Sequence, residues 1–203
     1  MTRLLCLGDS ITDCGRLFDA PPLGNGYVSL LAQRLRETRQ GWSVSNHGID
    51  GLTVARLLEY VRRGTSDTTA DVITVLIGIN DIGLMLNTNR NPAQKAQMMD
   101  DFSQNYEKLL QLVSKKAERI ILMEPFIFPR PAEYRLWFPY VEEMSRRIKN
   151  LADQYTLPYI PLHNPLNQLA QIYGVDKVTV DGIHLTTLGH EFIARTLIPF
   201  LYQ

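Results

Sequence analysis

Residues 72–81 read Val72-Ile73-Thr74-Val75-Leu76-Ile77-Gly78-Ile79-Asn80-Asp81. From Val72 to Ile77 the run is apolar apart from Thr74. A strand with one wet face alternates apolar and polar residues; an unbroken apolar run is how a strand covered on both faces reads. Covering both faces takes helices on both sides of a sheet, so the rest of the chain must supply them.

It does, in alternation. Towards the N-terminus, Leu4 to Leu7 is a first strand, followed by a glycine-rich, proline-containing loop to Gly26. Tyr27 to Arg39 reads as a helix, with Val28, Leu31 and Leu35 at helical spacing. Trp42 to Asn46 is a weaker second strand and Thr53 to Arg62 a second helix. Towards the C-terminus, a long helix over Pro92 to Ala117 sets Phe102, Tyr106, Leu109, Leu110 and Val113 on one face. Ile120 to Met123 is a fourth strand, and a loop rich in proline and aromatics follows from Glu124 to Leu136. The next helix takes Pro139 in its first turn, where a missing N–H costs nothing, and buries Val141, Met144, Ile148 and Leu151. Tyr159 to Pro161 is a fifth strand, and Leu166 to Tyr173 a short helix. A last helix spans Leu188 to Ile198, capped by Thr187 and stopped by Pro199. Alternating strands and helices predict parallel strands joined by right-handed crossovers. With no internal repeat or linker, the expectation is one α/β domain over residues 1–203: a three-layer sandwich with a five-stranded parallel sheet.

Composition narrows the function. Twenty-one acidic and 21 basic side chains cancel, which argues against nucleic acid or an anionic membrane as main partner, since both need a basic surface. The paired bases Arg62-Arg63, Lys115-Lys116 and Arg146-Arg147 fit solvated helix ends and faces. Cys6 and Cys14 are too few for a disulfide scaffold and read as free thiols. The apolar stretch before Gly8 is too short for a signal peptide or a membrane span, so a soluble, cytoplasmic protein is expected. Four scattered histidines without His-x-x-x-His or Cys-x-x-Cys offer no metal-ligand set. The glycine-rich phosphate and dinucleotide motifs are also missing, so no cofactor is expected.

In parallel sheets, ligands bind beyond the carboxyl ends of the strands. Three such ends carry small residues mixed with hydrogen-bonding side chains: Gly8-Asp9-Ser10-Ile11-Thr12, Asn46-His47-Gly48-Ile49-Asp50-Gly51, and Gly78-Ile79-Asn80-Asp81. Ser10 sits on a tight turn opened by Gly8. Its hydroxyl becomes a useful nucleophile only when a base takes the proton. Asp181-Gly182-Ile183-His184 supplies one, with a carboxylate three residues before an imidazole, a spacing that lets the carboxylate hold Nδ1–H. His47, His163 and His190 have no such partner. Acyl transfer also needs donors for the developing oxyanion, and the candidates are the N–H groups of Ser10 and Gly48 and the amide of Asn80. Taken singly, Gly-Asp-Ser is an ordinary turn and Asn80 a turn cap; what counts is that all three turns share one rim.

These blocks, in this order and across almost the whole chain, resemble the SGNH (GDSL) hydrolase superfamily. The resemblance implies a flavodoxin-like sheet, Ser10 as nucleophile, Asp181 and His184 completing a triad, and Gly48 and Asn80 completing the oxyanion hole, with Asp9 and Asp81 in support. A narrower likeness joins Gly8 to Arg16, Leu23 to Val28, Ile77 to Asp81 and Ile121 to Phe126 to the branch holding xylan acetylesterases, which implies acetyl groups on sugar hydroxyls as substrate. Leu185 replaces the proline that often follows the family's histidine, and Asp50 stands where serine is common; both lie at the pocket rim rather than on reacting groups. In the aromatic loop, Phe126, Tyr134 and Trp137 are expected to wall a sugar ring, the alternative being a lid or a contact between subunits of a homo-oligomer. The competing functions are a lysophospholipase or thioesterase, which needs a longer apolar groove, and a non-catalytic binding module on the same scaffold.

Overall fold

In the computed structural model, residues 1–17, 22–38, 41–64 and 69–202 are described. Five parallel strands form one sheet in the order β2-β1-β3-β4-β5. They are β1 (Thr2–Gly8), β2 (Trp42–Gly48), β3 (Ala70–Leu76), β4 (Ala117–Met123) and β5 (Tyr159–Ile160). The helices are α1 (Ser10–Asp13), α2 (Tyr27–Arg36), α3 (Val54–Arg63), α4 (Ile79–Leu86), α5 (Pro92–Val113), α6 (Phe138–Gln154), α7 (His163–Tyr173), α8 (Val175–Val178) and α9 (Thr187–Leu197). Short 3₁₀ turns cover Ala132–Trp137 and Ile198–Leu201.

The strand order fixes where the chemistry sits. From β1 the chain steps outwards to β2, then crosses back over β1 to β3. Right-handed crossovers running in opposite directions put their helices on opposite faces. Accordingly α2 packs on α9, while α3 packs on α5 and α5 on α6. The reversal leaves a crevice at the carboxyl ends of β1 and β3, the topological switch point. Ser10 follows β1 directly, and Asn80 lies two residues beyond Gly78 at the end of β3's run.

The unbroken run in β3 is buried from Val72 to Ile77, Thr74 included, as is Leu4 to Leu7 in β1. Burying a Val, Leu or Ile side chain is worth about 1.5–3 kcal/mol, so these central strands anchor the core.

Several elements differ from expectation. Strands β1 to β4 are longer than their apolar cores, as in the ladder from Thr2↔Trp42 to Gly8↔Gly48, whereas β5 stops at Ile160, before the Pro161 expected to end it. The turn expected at 78–81 opens the helix α4, so Asn80 and Asp81 lie in a first helical turn. The long helix stops at Val113 rather than Ala117, where β4 begins. The last helix starts at Thr187, with Thr186 as N-cap; the Thr186 hydroxyl donates to Lys177 O (2.5 Å) instead of capping. Pro199 does not end the chain's winding, which continues as a 3₁₀ turn. Helix α2 ends at Arg36, and Arg39, the expected end, lies outside the described residues, as does part of the loop before Gly26.

Candidate active site

The Ser10 arm is built by close packing. Gly8 ends β1, and a Cβ there would lie 2.2 Å from Thr12 Oγ1 and 2.5 Å from Leu76 O, so a side chain has no room. Asp9 then caps α1, its carboxylate accepting from Ile11 N–H at 3.1 Å. Ser10 is the first residue of that turn. Asp9 is buried, and burial pushes its carboxyl up to about 7, against the opposing pull of the Ile11 N–H and the nearby His184. Asn46 braces the arm from β2, with its amide donating to Thr12 O (2.7 Å) and Leu23 O (2.8 Å).

The His184 arm is a hydrogen-bonded loop between α8 and α9. An antiparallel bridge pairs Thr179 with Leu185, and the Thr179 hydroxyl donates to His184 O (2.7 Å) while accepting from Gly182 N–H (2.9 Å). Gly182 has φ +97°, and a Cβ would meet Arg130 O at 1.7 Å, so only glycine lets the loop pass this close. Asp181 Oδ1 accepts from the N–H groups of Ile183 (2.9 Å) and His184 (2.8 Å), and Oδ2 lies 2.7 Å from His184 Nδ1. Burial alone would raise the Asp181 carboxyl, but these bonds outweigh it and hold it below the usual range. An ionised carboxylate only accepts, so the ring proton sits on Nδ1 and Nε2 is left as the acceptor. That nitrogen is 2.9 Å from Ser10 Oγ, across 174 positions of sequence.

The proposed oxyanion donors behave differently from one another. Asn80, in the first turn of α4, uses one amide hydrogen on Leu52 O (2.9 Å), leaving the second. Gly48 is the correction. It is buried, its N–H donates to Asn46 Oδ1 at 2.9 Å, and a Cβ would meet Asp13 N at 2.1 Å. Gly48 is therefore glycine because β2 presses against α1, and its N–H is occupied. Gly51, three residues on, is exposed at φ +70° on the cleft that Asn80 lines, with no partner for its N–H among the described residues. Both glycines meet the criterion of a backbone open to close approach. The deciding detail, a side chain folding back onto Gly48, has no signature in the spacing.

A family profile described as GDSL-like Lipase/Acylhydrolase matches residues 6–192. The chain belongs to that family. An acetylxylan esterase from Geobacillus stearothermophilus is 27% identical over 207 residues, covering 97% of this chain and 92% of the other. An isoamyl acetate-hydrolyzing esterase 1 homolog from Mus musculus is 27% identical, covering 98% of this chain and 81% of the other. The crystal structure of the Geobacillus acetylxylan esterase superposes with TM-score 0.84 at 25% identity, covering 98% and 93% of the two chains. An alpha/beta hydrolase enzyme from the metagenome of Lake Arreo, at TM-score 0.82 and 23% identity over 98% and 94%, shares the fold. This GDSL acylhydrolase is thus a carboxylic ester hydrolase with the SGNH fold.

Two clefts flank the Ser10–His184 pair of the esterase. One, of about 390 Å³, is lined by Ser10, Asp13, Cys14, Asp50, His184 and His190 among others. The second, of about 500 Å³, brings together Gly51, Arg56, Asn80, Tyr134, Trp137 and Ile183. Of the aromatic wall, Phe126 is a further correction: it is fully buried, edge-on to Phe128 at 5.9 Å between centroids. The stretch after β4 continues the core instead of turning outwards, and Phe128 N–H holds Gly182 O of the His184 arm at 2.9 Å. Trp137 also lines the second cleft but is only 6% exposed, its ring tilted at 47° against Tyr134 with centroids 4.6 Å apart. Tyr134, half-buried, is the aromatic ring most available there.

His190 also lines the first cleft, yet it has partners: Tyr27 N–H donates to its Nδ1 (3.2 Å) and Cys14 Sγ is 3.3 Å from its Nε2. Burial, then the charge of His184, pushes it down to about 4, so it stays neutral. Among the described residues, no group of three or more His, Cys, Asp or Glu is gathered as a metal site, and no helix is long and apolar enough to cross a membrane.

Proposed function

We propose that this enzyme hydrolyses acetyl esters of carbohydrate hydroxyls, with Ser10 as nucleophile, His184 as general base and acid, and Asp181 holding the ring. The observation that carries the reading is the continuous chain Ser10 Oγ···Nε2–His184–Nδ1···Oδ2 Asp181, at 2.9 and 2.7 Å. As Ser10 Oγ bonds to the carbonyl carbon, its proton passes to Nε2, and the Asp181 carboxylate stabilises the resulting imidazolium. The negative carbonyl oxygen is received by the Ser10 and Gly51 N–H groups and the second amide hydrogen of Asn80. Collapse breaks the bond to the sugar oxygen, which leaves with the proton from Nε2 and gives an acetyl-Ser10 ester. Water then attacks that ester, Nε2 takes its proton, and Ser10 is released with acetate.

The acyl group is argued from the relatives, whose printed names concern acetyl esters, acetylxylan in one and isoamyl acetate in another. The sugar alcohol is supported by clefts that mix hydroxyl, amide and carboxylate groups with the rings of Tyr134 and Trp137. Two assays test the reading together: acetate release from acetylated mono- and oligosaccharides, and a chain-length series of aryl esters. The expected result is turnover of acetylated sugars and a steep fall beyond acetyl. Preference for long acyl chains or lysolipid would replace it with the lysophospholipase reading.

A further inference from the structure

Asn80 and Asp81 are consecutive residues of α4, and each side chain reaches across to the segment between β2 and α3. The Asn80 amide donates to Leu52 O at 2.9 Å. The Asp81 carboxylate accepts from Val54 N–H, at 3.0 Å to one oxygen and 3.3 Å to the other. Val54 is the first residue of α3, and the N-cap Thr53 makes no side-chain bond to that helix, so Asp81 supplies the missing cap from a distance. The first grip falls on the last residue of the tight turn closed by Leu52 N–H on Ile49 O (3.3 Å), in which Gly51 sits, and the second falls two residues further on. No side chain of the turn itself holds Gly51, which has open space around its Cα.

We infer that Asp81 is a positioning residue for the oxyanion site: by gripping Val54 N–H it fixes the turn that presents Gly51 N–H beside the Asn80 amide. The pair acts as a staple with two prongs, one of them also a donor to the reacting oxygen. Burial, and then the charge of Asp9, pushes the Asp81 carboxyl up to about 7 against the pull of Val54 N–H. Charged or neutral, it keeps an oxygen able to accept. An asparagine at 81 can therefore do the same work, whereas alanine cannot.

The inference rests on Asn80 and Gly51 serving the oxyanion, and the test separates the two. Turnover and KM for one acetyl ester are measured for Asp81→Ala, Asp81→Asn, Asn80→Ala and the Asn80→Ala/Asp81→Ala double variant. Misplacing reacting groups by about an ångström costs on the order of a hundredfold, so Asp81→Ala should lose kcat on that scale with KM little changed. Asp81→Asn should recover most of it. On the Asn80→Ala background, the same alanine substitution should cost far less than on the wild type. Val54→Pro is the second route, because proline suits the first position of a helix, removes the N–H that Asp81 grips and sets its ring carbon where that hydrogen pointed, displacing the carboxylate. The preceding Thr53, at φ −92° and ψ 166°, already has the backbone that a following proline requires. A folded Val54→Pro enzyme should show the same kcat loss as Asp81→Ala. Wild-type kcat in Val54→Pro, or equal losses from Asp81→Ala on both backgrounds, would overturn the inference while leaving a slow Asn80→Ala to uphold the oxyanion reading. Wild-type turnover in Asn80→Ala would overturn that reading and this inference with it.

Discussion

Ser10 stands on a turn whose neighbours Asp9, Ile11, Thr12 and Asp13 are all buried, whereas His184 and Asp181 keep 48% and 50% of their side chains in solvent. The Ser10 arm is held by backbone packed against backbone at Gly8 and Gly48, and by Asn46 bridging two segments. The His184 arm is held by a net of hydrogen bonds around one loop, with Thr179 and Phe128 as its ties. A solvent-exposed hydrogen bond to a carboxylate adds little to stability, so the Asp181–His184 bond orients the ring more than it holds the fold. Damage to the first arm should therefore reach the fold; damage to the second should stop at activity.

The largest effect tests the point where the arms meet. Ser10→Ala and His184→Ala should each lower turnover by about a millionfold, and the double variant should be little worse, because the groups act as a unit. His184→Ala should unfold in urea within about 0.5 kcal/mol of wild type, as surface substitutions do. A large loss of stability there would break the contrast between the arms.

The next largest effect separates the two glycines. Gly48→Ala drives a methyl into the backbone of α1 and should cost at least about 1–3 kcal/mol in urea unfolding. Gly51→Ala meets nothing within 4 Å and should cost only the strain of its positive φ, about 1 kcal/mol. Equal costs would contradict the packing role given to Gly48. In the second cleft, Tyr134→Ala should raise KM for an acetylated sugar by about three- to tenfold, the scale of one aromatic contact, and leave a small aryl acetate unaffected. Equal shifts for both would remove the ring from the sugar site.

The last test concerns pH. The Asp81 carboxyl is raised from 3.8 to about 7 in the fold. A raised carboxyl favours the fold fully below its unfolded value and loses that contribution as pH climbs through its folded value. Unfolding free energy should therefore fall more between pH 4 and pH 7 in the wild type than in Asp81→Asn, which cannot titrate at that position. Identical pH profiles would mean that the buried carboxyl does not titrate in that window.

The contrast between the arms also explains what the sequence made legible. Close packing leaves residue-type signatures, so the Gly8-Asp9-Ser10 turn, the buried run 72–77 and the alternation of elements could be read directly. The Asp181-x-x-His184 spacing was legible because both groups serve one ring within one loop. Gly51 was hidden because two glycines three apart look alike until Asn46 is seen occupying the N–H of one of them. Phe126 was misread because an aromatic residue after a strand carries no mark of whether the chain turns outwards or continues the core. The helical state of 79–86 was missed for a related reason: Gly78 and Asn80 are turn formers by type, and only the packing of α4 against α5 and α6 favours the helix.

The central claim is that Ser10, activated by His184, carries the acyl group. Mass spectrometry after treatment with a fluorophosphonate tests it most directly, because the probe bonds to an activated serine hydroxyl. A single adduct on Ser10, formed far more slowly in His184→Ala, is the predicted result. An enzyme that hydrolyses esters while leaving Ser10 unlabelled, or that takes the label on another residue, would contradict it.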